Sequence, residues 1–388
     1  MPSRALGLVL LALAACRSVE REAALARHAI TARDCAHAPH ELVEPDSAHA
    51  IAERDAALAP HEFVERHMGC MARIVLYARD EAEARSAARA AFDELARVDA
   101  LLSDYRDDSA VAELARRGER RTEGWDSRFV DALARAQRVS VLTDGAFDVT
   151  VGPLVVLWRA ARATHALPEE GALAAARVRV GWSKLAIDVP TRSIDGWEPG
   201  MRLDFGAIGQ GIGADRALAK LVELGHESAL VDVSGDVALG APPPGARGWR
   251  VRVEGAEGES ARTLYLSRCG VTTSGDTEQF VELDGVRYSH VVDPRTGRAL
   301  THAARSTVIA PDATDADAFA TAFGVLGLPR AIELARALPG VEAEVVVRGE
   351  RGLAAASTPG WARFLVPDGG EPDLHTERGS SANARRVP

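Results

Sequence analysis

The stretch Leu203-Asp204-Phe205-Gly206-Ala207-Ile208-Gly209-Gln210-Gly211-Ile212-Gly213-Ala214-Asp215 runs from an alternating apolar segment through four glycines into a helical pattern. Its spacing predicts a strand over 202–205 and a helix over 214–224. Glycines in such a turn let backbone N–H groups approach a ligand closely, and a helix N-terminus favours phosphate. The spacing is not G-x-G-x-x-G and no Walker Lys-Ser/Thr pair follows. That excludes a P-loop and leaves the dinucleotide fingerprint imperfect. The next strand pattern ends near Asp232, where a ribose-binding acid would stand, so a Rossmann oxidoreductase competes with a ligand-free strand-to-helix turn.

Working outward, helical and strand patterns alternate through the body of the chain. A strand is expected over 71–78, then an amphipathic helix over Glu81–Leu102 with Ala88, Phe92, Leu95, Val98 and Leu102 along one stripe. A second helix fits Ser127–Leu142. Short strands follow near 185–189, Ala229–Val233, Trp249–Val253 and Phe280–Leu283, separated by Gly and Pro. The fold class this implies is mixed α+β, one catalytic domain over 67–366 of short strands with flanking helices.

Downstream, Asp312-Ala313-Thr314-Asp315-Ala316-Asp317-Ala318-Phe319-Ala320-Thr321 opens another helix. Asp312, Thr314 and Asp315 are explained as cap and dipole residues. Asp317 and Thr321 lie deeper, one turn apart on one face, and oxygen ligands so placed suit Mg²⁺, which keeps sites for phosphates and water. A third segment, Tyr288-Ser289-His290-Val291-Val292-Asp293-Pro294-Arg295-Thr296-Gly297, is a strand ending in a turn, with His290 beside Asp293. A lone strand histidine is commonly structural, so its role is left to context.

At the N-terminus, Arg4 precedes an apolar run that ends in Leu13-Ala14-Ala15-Cys16 and gives way to charged residues. Residues 1–16 are read as a lipoprotein signal, with Cys16 acylated and the protein anchored in the cell envelope on the far side of the inner membrane. Residues 17–66 read as a His-rich spacer, and with His67 just beyond it this stretch holds six of the eleven histidines. Arg33-Asp34-Cys35-Ala36-His37-Ala38-Pro39-His40-Glu41 recurs there as Arg54-Asp55-Ala56-Ala57-Leu58-Ala59-Pro60-His61-Glu62, which favours a duplicated spacer over a metal tract. Residues 367–388 read as a polar tail, expected to be loose. Cys35, Cys70 and Cys269 show neither a zinc spacing nor a disulfide framework.

The 388 residues carry 46 basic and 56 acidic side chains, a net charge of −10, which argues against general nucleic-acid binding. At 47% hydrophobic but 5% aromatic, the core must be mainly aliphatic. No later apolar run is long enough for a membrane span.

With these segments in order, the sequence resembles the ApbE family, the FAD:protein FMN transferases, which are often bacterial lipoproteins. The resemblance rests on Leu102-Ser103-Asp104-Tyr105, the segment from Gly145 to Leu154, Asp204 to Asp215, Ser234-Gly235-Asp236, Thr273-Ser274-Gly275-Asp276, His290 to Gly297, and Ala316-Asp317 with Thr321. It implies that FAD is gripped by Met68, Tyr105, Ala146, Phe147, Asp148, Asp204, Gln210 and Val292. It also implies that Mg²⁺ is held by the Ala207 carbonyl with Asp317 and Thr321. Family members cut FAD at its pyrophosphate, move FMN to a threonine of a partner flavoprotein, such as a subunit of an envelope redox complex, and release AMP. In that context His290 is the candidate base, with Asp293 as orienter. Departures are Gln210 where Lys is frequent, Cys70 where Thr is common, and Thr277 in place of a usual Tyr. Two alternatives remain: FAD hydrolysis to FMN and AMP, and a flavin-carrying lipoprotein without turnover.

Overall fold

The computed structural model describes residues 58–254, 261–275, 280–349 and 352–366. Eight strands form its main sheet: β1 (Ala59–His67), β2 (Cys70–Ala78), β3 (Ala229–Val233), β4 (Asp236–Leu239), β5 (Cys269–Gly275), β6 (Ala303–Ala310), β7 (Glu342–Gly349) and β8 (Gly352–Ser357). Each is antiparallel to its neighbour, and their order across the sheet is their order along the chain. Such an antiparallel meander corrects the Rossmann reading, which requires parallel strands joined by crossover helices. The mixed α+β class holds.

The described residues contain eight α-helices: α1 (Glu81–Leu102), α2 (Ala110–Arg117), α3 (Ser127–Leu142), α4 (Gly152–Thr164), α5 (Glu170–Arg177), α6 (Gly209–Glu223), α7 (Ala313–Leu326) and α8 (Leu328–Ala337). Helix α1 starts where Asp80 caps it, accepting from the Glu83 N–H at 2.9 Å, and its apolar stripe faces β2 and α6. Along β2, Ala72, Ile74 and Leu76 are buried against these helices, while Val75 and Tyr77 point to the other face. That other face is covered by the ribbon Trp249–Val253 with Arg262–Leu266 and by Trp361. Helix α7 is buried on nearly every side, which its alternation of alanine with phenylalanine permits.

Three sequence expectations need correction. Strand β1 begins at Ala59, so the sheet includes residues assigned to the spacer, among them Ala59 to Glu62 at the end of the second copy of the duplicated sequence. The first copy, like the signal region and the tail, lies outside the described residues. Residues 202–205 are not a strand: Leu203 and Phe205 are buried, but the Asp204 N–H donates to the Val149 carbonyl at 2.7 Å, outside any ladder. Finally, α6 begins at Gly209 rather than Ala214 and takes three glycines into the helix. A Cβ on Gly211 would lie 2.4 Å from the Ala313 carbonyl oxygen, and one on Gly213 would lie 2.9 Å from the Met68 sulfur. Close approach of α7 and of the β1–β2 turn explains both positions.

Candidate active site

The turns Met68-Gly69 and Ser234-Gly235 join β1 to β2 and β3 to β4, and all four residues have positive φ. Ala72 faces Val233 and Thr272 faces Asp236 in the ladders, so both turns and the Ser274 end of β5 share one end of the sheet. Helix α7 follows β6 and packs back against β5 and β6, carrying Asp317 and Thr321 toward that same end. The N-terminus of α6 arrives there too, with no side-chain cap on its first turn.

Direct contacts tie these parts together. The Gly211 N–H donates to Asp317 Oδ2 at 3.1 Å. Thr321 Oγ1 lies 3.5 Å from Ser274 Oγ. Asp236 accepts from the Thr272 hydroxyl at 2.8 Å. Asp317 and Asp236 are both buried. Burial, then the Asp236 charge and more weakly that of Asp215, pushes the Asp317 carboxyl well above the usual carboxylate range, against the Gly211 N–H. Asp236 is pushed up to about 7 by its own burial, with Asp232 adding to the rise and Thr272 opposing it. Asp236 was visible in the sequence only as the end of the Ser-Gly-Asp motif, and its pairing with Asp317 was missed.

These residues fit a hard divalent cation. Asp236 and Asp317 are both buried, the charge of the first reaches the second, and among the described residues no Arg or Lys side chain pairs with either. No cluster of three or more His, Cys, Asp or Glu side chains suited to a metal occurs among the described residues. Asp317 and Thr321, one turn apart on α7, are oxygen donors of the kind Mg²⁺ takes.

The remaining assigned residues fall around this centre. Met68 packs on Gly209 and Gly213 at the start of α6. Gln210 Nε2 donates to Cys70 Sγ at 3.3 Å, so two of the three departures noted in the sequence touch each other. Burial raises the Cys70 thiol, the Gln210 contact lowers it, and Asp236 and Asp232 add to the rise. Asp204 accepts from the Gly206 N–H at 2.8 Å and from Arg159 Nη2 at 2.9 Å. Its carboxyl is raised by burial and by Asp104, against the Gly206 N–H, Arg159 and Arg202. Tyr105 is exposed, with Arg159 against its ring. Arg159 is a second residue that sequence reasoning missed, since an arginine on an amphipathic helix carries no local signal.

Ala146 and Phe147 are buried, and Asp148 is enclosed by its own neighbours. Asp148 Oδ1 accepts from the Thr150 N–H at 2.8 Å and the Thr150 hydroxyl at 2.7 Å, and Oδ2 accepts from the Trp182 N–H at 2.9 Å. Its carboxylate thus holds the turn at Val149–Val151 against the Trp182 segment. Val292 is buried with Trp158 and Leu154 of α4. His290 is half-buried at the bend just after Val286–Ser289. Asp293 is engaged by Arg295, whose guanidinium spans both carboxylate oxygens at 2.9 and 3.0 Å. Asp312 and Asp315 act as expected at the start of α7: Asp312 accepts from the Asp315 N–H, and Arg135 bridges both carboxylates. A cavity of about 290 Å³ opens beside α6, lined by Asp215 and Thr314 and by Arg97, Arg128 and Arg135, which are paired with Glu94, Asp126 and Asp312.

Comparison with known proteins agrees with this layout. A FAD:protein FMN transferase of Treponema pallidum is 33% identical over 317 residues, covering 77% of this chain and 87% of that protein. One of Klebsiella pneumoniae is 32% identical over 308 residues, with the same two shares. Among solved structures, the flavin transferase ApbE from Vibrio cholerae superimposes with a TM-score of 0.71 at 26% identity, covering 79% of this chain and 100% of that one. The apo flavinyl transferase ApbE of Pseudomonas stutzeri gives 0.70 at 29% identity, covering 79% of this chain and 97% of that one. The ApbE family matches residues 68–345, most of the described sheet together with every site residue discussed above, and the chain belongs to the ApbE family.

Proposed function

We propose that this chain is a Mg²⁺-dependent FAD:protein FMN transferase that attaches FMN through a phosphoester to a threonine of an acceptor flavoprotein and releases AMP. The observation that carries this reading is the junction of the α6 N-terminus with the buried Asp317 carboxylate, beside a second buried carboxylate. Oriented N–H groups and a cation-ready acidic pair are what a pyrophosphate needs at a site where the chain as a whole, at −10, repels it.

Asp317, Thr321 and the Ala207 carbonyl would hold Mg²⁺, which supplies charge compensation to the pyrophosphate oxygens when bound. Asp204, Tyr105 and Met68 would orient the dinucleotide, and Gln210 would offer a hydrogen bond where a lysine would offer charge. The threonine Oγ forms a bond to the FMN phosphorus. The bond from that phosphorus to the bridging oxygen breaks, and AMP leaves with that oxygen. His290 takes the hydroxyl proton, since a threonine hydroxyl is a weak nucleophile at neutral pH.

The lipobox at Cys16 supports an envelope location with a lipid anchor, and with it an acceptor that is a subunit of an envelope redox complex. Intact-mass spectrometry of a threonine-bearing acceptor domain incubated with the protein, FAD and Mg²⁺ tests the reading. A gain of one FMN on the acceptor is expected. FMN and AMP free in solution with an unmodified acceptor would make the protein a hydrolase, and bound FAD with neither product would make it a carrier.

A further inference from the structure

Tyr105 has 78% of its surface exposed, an unusual setting for a large aromatic ring. Beneath it lies Arg159 of α4, whose Cζ is 4.8 Å from the ring centroid. The same guanidinium donates through Nη1 to Asp104 Oδ2 at 2.6 Å and through Nη2 to Asp204 Oδ2 at 2.9 Å. Those carboxylates are 10% and 9% exposed, and one fork reaches both, with the Gly206 N–H as a further donor to Asp204. A guanidinium is planar and presents its donors in fixed directions while its face remains free to stack. One side chain therefore couples the loop after α1, helix α4 and the approach to α6. An ordinary surface ion pair requires neither the aromatic ring nor the second buried acid.

Building on the transferase reading, we propose that Arg159 is a positioning residue for the dinucleotide. It holds Tyr105 as a platform with one face on the guanidinium and the other open to a planar ring system of FAD, in register with the Asp204 carboxylate. The chemistry selected is a flat heteroaromatic ring with N–H donors on its edge, which a carboxylate can accept from.

Flavin fluorescence titration of wild type, Arg159→Ala, Tyr105→Ala and the double variant tests this, with thermal melts alongside. Each single change is expected to weaken FAD binding by about tenfold, and the double change by little more, because both remove one platform. Arg159→Lys keeps a cation for Asp104 and Asp204, and so the fold, but cannot fork and stack together; it is expected to lose affinity as well. In transfer assays the KM for FAD should rise while kcat stays within about twofold. If wild type binds FAD but the Arg159→Lys and Arg159→Ala proteins bind it equally well, or if the two single effects simply multiply, the platform is wrong and the transferase reading stands. If wild type does not bind FAD, the transferase reading fails and the platform with it.

Discussion

The backbone N–H of Gly211 donates to Asp317 Oδ2 across 106 residues of sequence, joining the first turn of α6 to the second turn of α7. The contact exists because Gly211 lacks a side chain. A Cβ there would meet the Ala313 carbonyl oxygen at 2.4 Å and the Thr314 Cα at 2.9 Å, both backbone atoms that cannot swing aside. Gly211→Ala should therefore separate the helices and destabilise the protein by about 1–3 kcal/mol. Thermal unfolding should show a melting temperature lower by several degrees, and an unchanged melt would mean the helices are not held this closely.

Asp236 provides a pH test. Its carboxyl is pushed up to about 7 in the folded protein by burial, and Asp317 is raised in the same sense. The unfolded chain titrates near ~3.9. An acid with a raised folded pKa binds its proton more tightly when folded, so its stabilising contribution is complete below the unfolded value and is lost as pH rises through the folded one. In EDTA, melting temperature should decline between about pH 4 and pH 7 partly for this reason. Asp236→Asn cannot ionise and keeps an oxygen for Thr272, so it should flatten the decline and melt higher than wild type at neutral pH. A variant less stable at every pH would contradict this electrostatic account.

Asp317→Ala should abolish turnover chiefly by removing the cation. Calorimetric titration with Mg²⁺ separates this from misfolding: the variant should retain a cooperative melt and lose the binding heat. Wild-type activity in limiting Mg²⁺ would show that the carboxylate is not a metal ligand.

For His290→Ala, transfer should slow by about 10²–10⁴-fold while FAD affinity is kept, the signature of a lost base rather than a lost binding group. Stopped-assay rates with FAD affinity measured in parallel decide it. Undiminished transfer would remove His290 from the chemistry.

Much of the frame was legible because its signals are local. The stripe of α1 and its Asp80 cap specify that helix, and the apolar run of β3 specifies that strand. What escaped depends on distant neighbours. Glycine costs a helix about 1 kcal/mol relative to alanine, so Gly209, Gly211 and Gly213 read as a turn. Inside α6, Gly211 and Gly213 are required because Ala313 and Met68 approach too closely there for a side chain. The alternation of Leu203 and Phe205 imitates a strand, yet both bury into a core through a segment bonded to the Val149 turn. The duplication made 59–66 look like linker, although its alternating exposure marks an edge strand. At the site, Asp317 and Thr321 stood out because caps do not explain them. Arg159 and the Asp236–Asp317 pairing appear only when separate segments meet.

The most direct measurement counts AMP released and FMN attached in one reaction of protein, FAD, Mg²⁺ and acceptor, with an acceptor whose target threonine is replaced by alanine run in parallel. Transfer as described here requires one AMP for each FMN-labelled acceptor and little AMP with the alanine acceptor. AMP produced equally with both acceptors, without label on either, would contradict it.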